Sequence, residues 1–255
     1  MDTTCPSGLQ VRMREMTVAD EELFLDRQLL AEGRIIDELL KSCVIALIDK
    51  GPYTWEGEIE WDSVLMADRT FLIIQLRILS FGAHYQFKVK CPNCERFFRH
   101  PLKLDTLNTL PVSDAGKQYL RDGKAIEEVL DDGKYPVSVR LLNGDDERIL
   151  STLDKQEKQH MLTQQLTRRI VSLGEVTEEE AIFELVQNMP SRISGELWDV
   201  TDDLEGGVDT IIPVDCPHSD CEHEQEMILP FDANFFSSRK RFSRSRRRRR
   251  GKRTT

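Results

Sequence analysis

Two short turns, Cys91-Pro92-Asn93-Cys94 and Cys216-Pro217-His218-Ser219-Asp220-Cys221, constrain the fold of this chain more than any other feature. Each is flanked by stretches that alternate apolar and polar residues: KVK before and ERFFRHPLKL after the first, PVD before and EHEQEMILPF after the second. The pattern is one hairpin used twice: strand, Cys-Pro, tight turn, Cys, strand. A cysteine turn of this kind aims two sulfurs at one point, whereas zinc takes four ligands in a tetrahedron with metal–sulfur bonds near 2.3 Å. One turn therefore supplies half a site. The two hairpins are expected to face each other as a zinc ribbon, with Cys91, Cys94, Cys216 and Cys221 holding one structural Zn2+. The first pair is C-x2-C and the second C-x4-C, and 121 residues lie between Cys94 and Cys216. About half of the protein is thus an insertion between the two halves of the ribbon.

Other readings of the same cysteines are weaker. Four reduced thiols without a metal would pack as small hydrophobes. A redox CxxC is disfavoured because no thioredoxin-like βαβ pattern precedes Cys91. His218 and His223 beside the second turn, and His100 beyond the first, are candidates to replace a cysteine, but four thiolates are the expected set. A closed site of four thiolates has no open coordination position and is structural rather than catalytic. Cys5 and Cys43 stand alone, and Cys43 falls on an apolar helical face, where a buried thiol is expected.

Periodicity places helices on either side of the first hairpin. Thr17 with Asp20 reads as a capping box opening a helix that Gly33 interrupts. Ile36, Leu39, Leu40, Cys43, Val44 and Leu47 continue at helical spacing. Asp68 is placed to cap a helix over 69–80, whose FLIIQLRIL core is apolar nearly all round and must be buried. Residues 1–16 read as a lead-in, and 105–135 as a charged connection with a short helix near 114–121. A strand is expected over 135–142, a turn at Asn143-Gly144, a long helix over 146–173, and further helices over 177–189 and from Ser191 to about Leu204. The expected fold is α+β: a mainly helical body of residues 1–238 forming one domain, with the ribbon built from about 84–104 and 209–231. No apolar run is long enough for a membrane-spanning helix, and the first residues lack the apolar segment of a secretory signal, so a cytoplasmic location is expected.

Charge is unevenly placed. Residues 239–255 carry 11 Lys and Arg and no acid, which leaves the rest of the chain at −21. That body repels phosphate over its general surface. The tail is expected to be disordered, and its arginines Arg244, Arg246, Arg247, Arg248, Arg249 and Arg250 are candidates for contact with nucleic acid or an acidic partner. No Gly-rich phosphate loop, GxSxG, HExxH or kinase set occurs, and no catalytic residue is assigned.

The segments REMTVADEELFL, DELLKSCV, LIIQLRILSFGAHYQFKVKCPNC and CPHSDCEHEQEMILPFDANFF together resemble the baseplate-hub assembly family of T-even and related contractile-tailed phages. The spaced set Leu76, Arg77, Ser80, Gly82 and Tyr85, the two Cys-Pro turns, and Pro230, Phe231, Phe235 and Phe236 carry most of that likeness. The resemblance implies a non-enzymatic role in building or chaperoning a tail baseplate, with other baseplate, hub or tape-measure proteins as partners. It also implies incorporation in the particle. The basic tail and the longer second turn depart from the family pattern. They motivate the competing reading, a zinc-ribbon regulator that binds nucleic acid through its arm.

Overall fold

The computed structural model describes residues 1–131, 133–231 and 235–236. The tail 239–255, with the contacts expected of its arginines, lies outside the described residues. The chain opens with β1 (Asp2–Thr4) and β2 (Gln10–Met13), so the first residues are not a mere lead-in. At α1 (Val18–Glu22) the expected capping box forms: the Asp20 carboxylate accepts from the Thr17 backbone N–H at 2.7 Å and its hydroxyl at 2.8 Å. The helix is not continuous. A 3-10 turn at Leu23–Leu25 breaks it, and Asp26 caps a fresh start at α2 (Arg27–Ala31) by accepting from the Gln28 and Leu29 amides.

Helix α3 (Ile35–Cys43) stops earlier than its periodicity suggests, because β3 (Val44–Asp49) leaves the helix to pair with β2. Val44 and Ile45 are β-branched and favour extended backbone once a partner strand is available. The resulting sheet has the order β1-β2-β3. Helix α4 (Met66–Phe81) is the central buried helix expected from FLIIQLRIL, with Leu72, Ile73, Ile74 and Leu76 in the core. It begins three residues early, and Asp68 does not cap it. The Asp68 carboxylate is fully buried and accepts from the Ser7 hydroxyl at 2.5 Å, the Ser7 amide at 3.0 Å and the Tyr53 hydroxyl at 2.7 Å. Burial raises its pKa, opposed by those donors. This network fastens the N-terminal sheet to α4.

Next come β4 (His84–Lys90) and β5 (Phe97–Lys103), the first hairpin, then β6 (Thr109–Leu110) and α5 (Asp114–Asp122), close to the expected short helix. Strands β7 (Ile126–Leu130) and β8 (Tyr135–Val139) follow. The Asn143-Gly144 pair is a helix start rather than a turn, since Asn143 caps α6 (Gly144–Thr152) and forms a box with Asp146. The long helix expected over 146–173 is three pieces. Helix α6 ends at Thr152, a 3-10 turn spans Glu157–His160, and α7 (Met161–Arg169) runs directly into β9 (Ile170–Leu173), which joins β8 in a sheet of order β7-β8-β9. Helices α8 (Glu179–Gln187) and α9 (Ser191–Glu205) stand where expected. The chain closes with β10 (Gly207–Val208), paired with β6, and the second hairpin, β11 (Ile211–Asp215) and β12 (Glu224–Ile228). The class is α+β, with two three-stranded sheets that the helical reading did not contain.

Two buried arginines tie helices together, and the first joins the parts of the chain on either side of the first hairpin. Arg69 on α4, 2% exposed, donates to Asp37 on α3 and to Glu147 on α6, both at 2.6 Å, and to the Trp61 carbonyl at 3.0 Å. Gly144 lies against this clamp: a Cβ there would sit 2.4 Å from the Trp61 carbonyl oxygen and 2.9 Å from the Arg69 guanidinium. Arg169, at the end of α7, makes a two-pronged pair with Glu205 at the end of α9, both bonds 3.0 Å, with its guanidinium over the Trp198 ring. A continuous cluster of buried apolar side chains runs from Leu9 and Val11 through α3 and α4 to both hairpins and α9.

Candidate metal centre

The four cysteines meet. β4 and β5 pair in register from His84 opposite Lys103 to Lys90 opposite Phe97, and β11 and β12 from Ile211 opposite Ile228 to Asp215 opposite Glu224. Each strand pair delivers its cysteines at the end of the ladder. Tyr85, Phe87 and Val89 face the core from the first hairpin, and Ile212 and Val214 from the second, so the period-2 alternation seen in the sequence sets which face of each hairpin is buried. Tyr85 also packs edge-on against Phe235, which meets Phe236, and Phe236 stacks on Phe24 at 4.9 Å. The aromatic ending of the matched segment thereby pins the ribbon end of the molecule to the N-terminal helices.

The first turn is closed by the Cys91 amide donating to the Arg96 carbonyl (3.0 Å) and the Glu95 amide to the Cys91 carbonyl (2.9 Å). In the second, the Cys216 amide donates to the His223 carbonyl and the Cys221 amide to the His218 carbonyl, both 2.9 Å. The extra two residues are absorbed inside that inner turn and do not displace the cysteines. In both turns the residue after the second cysteine is a glutamate with left-handed backbone, Glu95 at φ 57° and Glu222 at φ 45°. The repeat thus extends to backbone conformation.

Across the two turns, Cys91 Sγ lies 3.6 Å from Cys221 Sγ and Cys94 Sγ 3.7 Å from Cys216 Sγ, and all four sulfurs fall within 4.8 Å of one another. These separations are too long for disulfides, whose sulfurs stand about 2.05 Å apart. They match the edge of a tetrahedron with about 2.3 Å arms, which is about 3.8 Å. The arrangement is compatible with a metal site. Cys91 and Cys216 are buried, while Cys94 and Cys221 are partly exposed. Among the described residues no other group of three or more His, Cys, Asp or Glu side chains converges in this way.

The surroundings act in opposite senses on the two turns. The Arg96 guanidinium beside Cys94 holds its pKa down to about 6, while burial pushes Cys216 up to about 12. Asn93 donates its side-chain amide to Cys221 Sγ at 3.4 Å, and His218 Nδ1 stands 3.3 Å from Cys216 Sγ. His218 thus lies against a sulfur, while His100 packs against Phe87, its direct cross-strand neighbour. Arg96 also forms an ion pair with Asp220, which links the first turn to the second. Arg96, Asn93 and Asp220 were not singled out from the sequence. Their only signal there is a position one or two residues from a cysteine.

No helix among the described residues is long and apolar enough to cross a membrane. No curated protein and no solved structure matches the chain significantly. Residues 1–237 match a protein family described as T4 bacteriophage base plate protein, a span that takes in both hairpins and all four cysteines. With every described residue inside that match, the chain belongs to the T4 bacteriophage base plate protein family.

Proposed function

We propose that this protein is a non-enzymatic structural or assembly component of a contractile-tail baseplate, folded as one domain and held at its ribbon end by a single zinc ion on Cys91, Cys94, Cys216 and Cys221. Membership of the base plate family supports the setting. The observation that carries the site is the cross-turn sulfur spacing of 3.6 and 3.7 Å, the edge length a tetrahedral thiolate site requires. Zinc is preferred because four thiolates in a tetrahedron suit it and leave no position for water. Such an ion would fix the two hairpins against each other and present a rigid surface to hub or tape-measure components. The protein would then act in the cytoplasm of the producing cell and enter the particle.

The test combines elemental analysis of the purified protein with a pull-down from cells making the whole particle. One zinc per chain and co-purification of baseplate components are expected. Fully assembled, functional tails in a deletion strain would refute the assembly role, and a metal-free protein that still captures those components would refute the site while sparing the partner reading.

A further inference from the structure

The two hairpins carry outer faces of opposite charge. With Tyr85, Phe87 and Val89 turned to the core, the exposed side of the first hairpin sets Lys90 opposite Phe97, Lys88 directly opposite Arg99, Gln86 opposite Pro101 and His84 opposite Lys103. The exposed side of the second sets Asp215 opposite Glu224, Pro213 opposite Glu226 and Ile211 opposite Ile228. Like charges directly opposite one another destabilise an antiparallel pair. Here that cost is incurred twice, once with each sign. Lys90 pairs with Glu95 (3.9 Å) and Lys103 with Asp105 (3.3 Å), but the central charges are unpaired: the Lys88 ammonium rests 3.7 Å over the Phe97 ring, and Arg99, Asp215, Glu224 and Glu226 take part in no ion pair among the described residues.

Both faces also have an apolar residue at one end followed by a charged row. On the first, Phe97 (58% exposed) marks the cysteine end and the cations run away from it. On the second, Ile211 and Ile228 (55% and 72% exposed) mark the end remote from the cysteines, and the acids run toward them. Outward pairs recur every two residues, about 7 Å, in both. Laid antiparallel, Phe97 meets the two isoleucines, Lys88 and Arg99 meet Glu226, and the uncharged Gln86 and Pro101 fall opposite Asp215 and Glu224, with His84 and Lys103 one row further on.

We propose that the basic outer face of the first hairpin docks onto the acidic outer face of the second hairpin of another copy of this chain. The contact is heterologous, because each copy uses a different face, so it builds a closed ring or an open row rather than a two-fold dimer. It adds a second copy to the partners suggested above and does not depend on which metal holds the cysteines. The net charge of −10 on each copy opposes association only weakly at physiological salt, where screening acts beyond about 8 Å and the contact pairs lie inside that distance.

Sedimentation of the full chain at physiological salt tests this. The wild type should self-associate. The variants Lys88→Gln with Arg99→Gln, and Glu224→Gln with Glu226→Gln, should each weaken association by about tenfold or more. All four positions are exposed, and an unchanged circular dichroism melt certifies the fold. Mixed together, the two variants keep one intact face each and should form a dimer that grows no further. A wild type that stays monomeric to about 0.1 mM overturns the proposal. So does association lost with only one of the two variants. Association abolished when Arg246–Arg250 are replaced by serine in the full chain would make the tail, not the first hairpin, the occupant of the acidic face.

Discussion

If the cysteine cluster holds the proposed zinc, removing it should destabilise the protein in proportion to the chain the ion ties together. The link between Cys94 and Cys216 closes a loop of 121 residues. Chain-entropy arguments put the stabilisation from a single cross-link over that length at about 5 kcal/mol. Small proteins have about 5–15 kcal/mol of net stability, so the loss is a large share. For a chain of this size 5 kcal/mol corresponds to a fall in Tm of about 10–20 °C. The assay is a thermal melt under reducing conditions, before and after stripping the metal with a chelator, with zinc added back as the control. Cys91→Ser should reproduce the chelated melt. Because zinc at this site would bind the folded form, the wild-type Tm should also climb with free zinc concentration. A melt that moves by less than about 2 °C on stripping would mean that the four thiols stabilise the fold by packing alone, and the cross-link argument would be wrong.

Other expectations follow from single contacts. Gly144→Ala should cost about 1–3 kcal/mol, because the added methyl collides with the Trp61 carbonyl and the Arg69 clamp, and urea unfolding would show it. Arg169→Met should lose about 3–5 kcal/mol by leaving Glu205 buried without its partner, whereas adding Glu205→Leu should recover most of the loss; equal melts for the two variants would contradict a buried-charge origin. Asp20 is held well below the usual carboxylate range, chiefly by Arg14, so its contribution is present above pH 3.8 and disappears as pH falls through the lowered value. Asp20→Asn should therefore lose about 2 kcal/mol at pH 7 and progressively less in acid, as pH-dependent denaturation would record. Glu95→Gly should be within about 1 kcal/mol of the wild type or more stable, while Glu95→Val should lose about 1 kcal/mol or more relative to the wild type, since only glycine takes φ 57° without strain.

Which features were readable in advance depended on how local their cause is. The cysteine turns were readable because each is a short segment whose alternation, turn residues and sulfur spacing all lie side by side. Helix α4 was readable because nine consecutive apolar-rich residues admit few other outcomes. The reading failed where a partner strand competed with a helical pattern. Leu47 continues the period of α3, yet it pairs with Val11, and Ile170 continues the period of α7, yet it pairs with Val139. In each case β-branched residues at the helix end were drawn into a sheet by strands distant in sequence. Arg69 and Arg169 were also missed, because a charged residue on a helix reads as surface until its buried acids are in place.

Composition and pattern alone therefore determined the α+β class, the two hairpins, the central helix and the identity of the four candidate ligands. Only the tertiary structure decided that these ligands converge, since nothing local links Cys94 to Cys216 across 121 residues and a half-site has no preferred partner until the chain is packed. The same holds for the Asp68 network, the arginine clamps and the opposed charges of the hairpin faces. Each is a relation between segments, and its energy exists only once burial has brought them together.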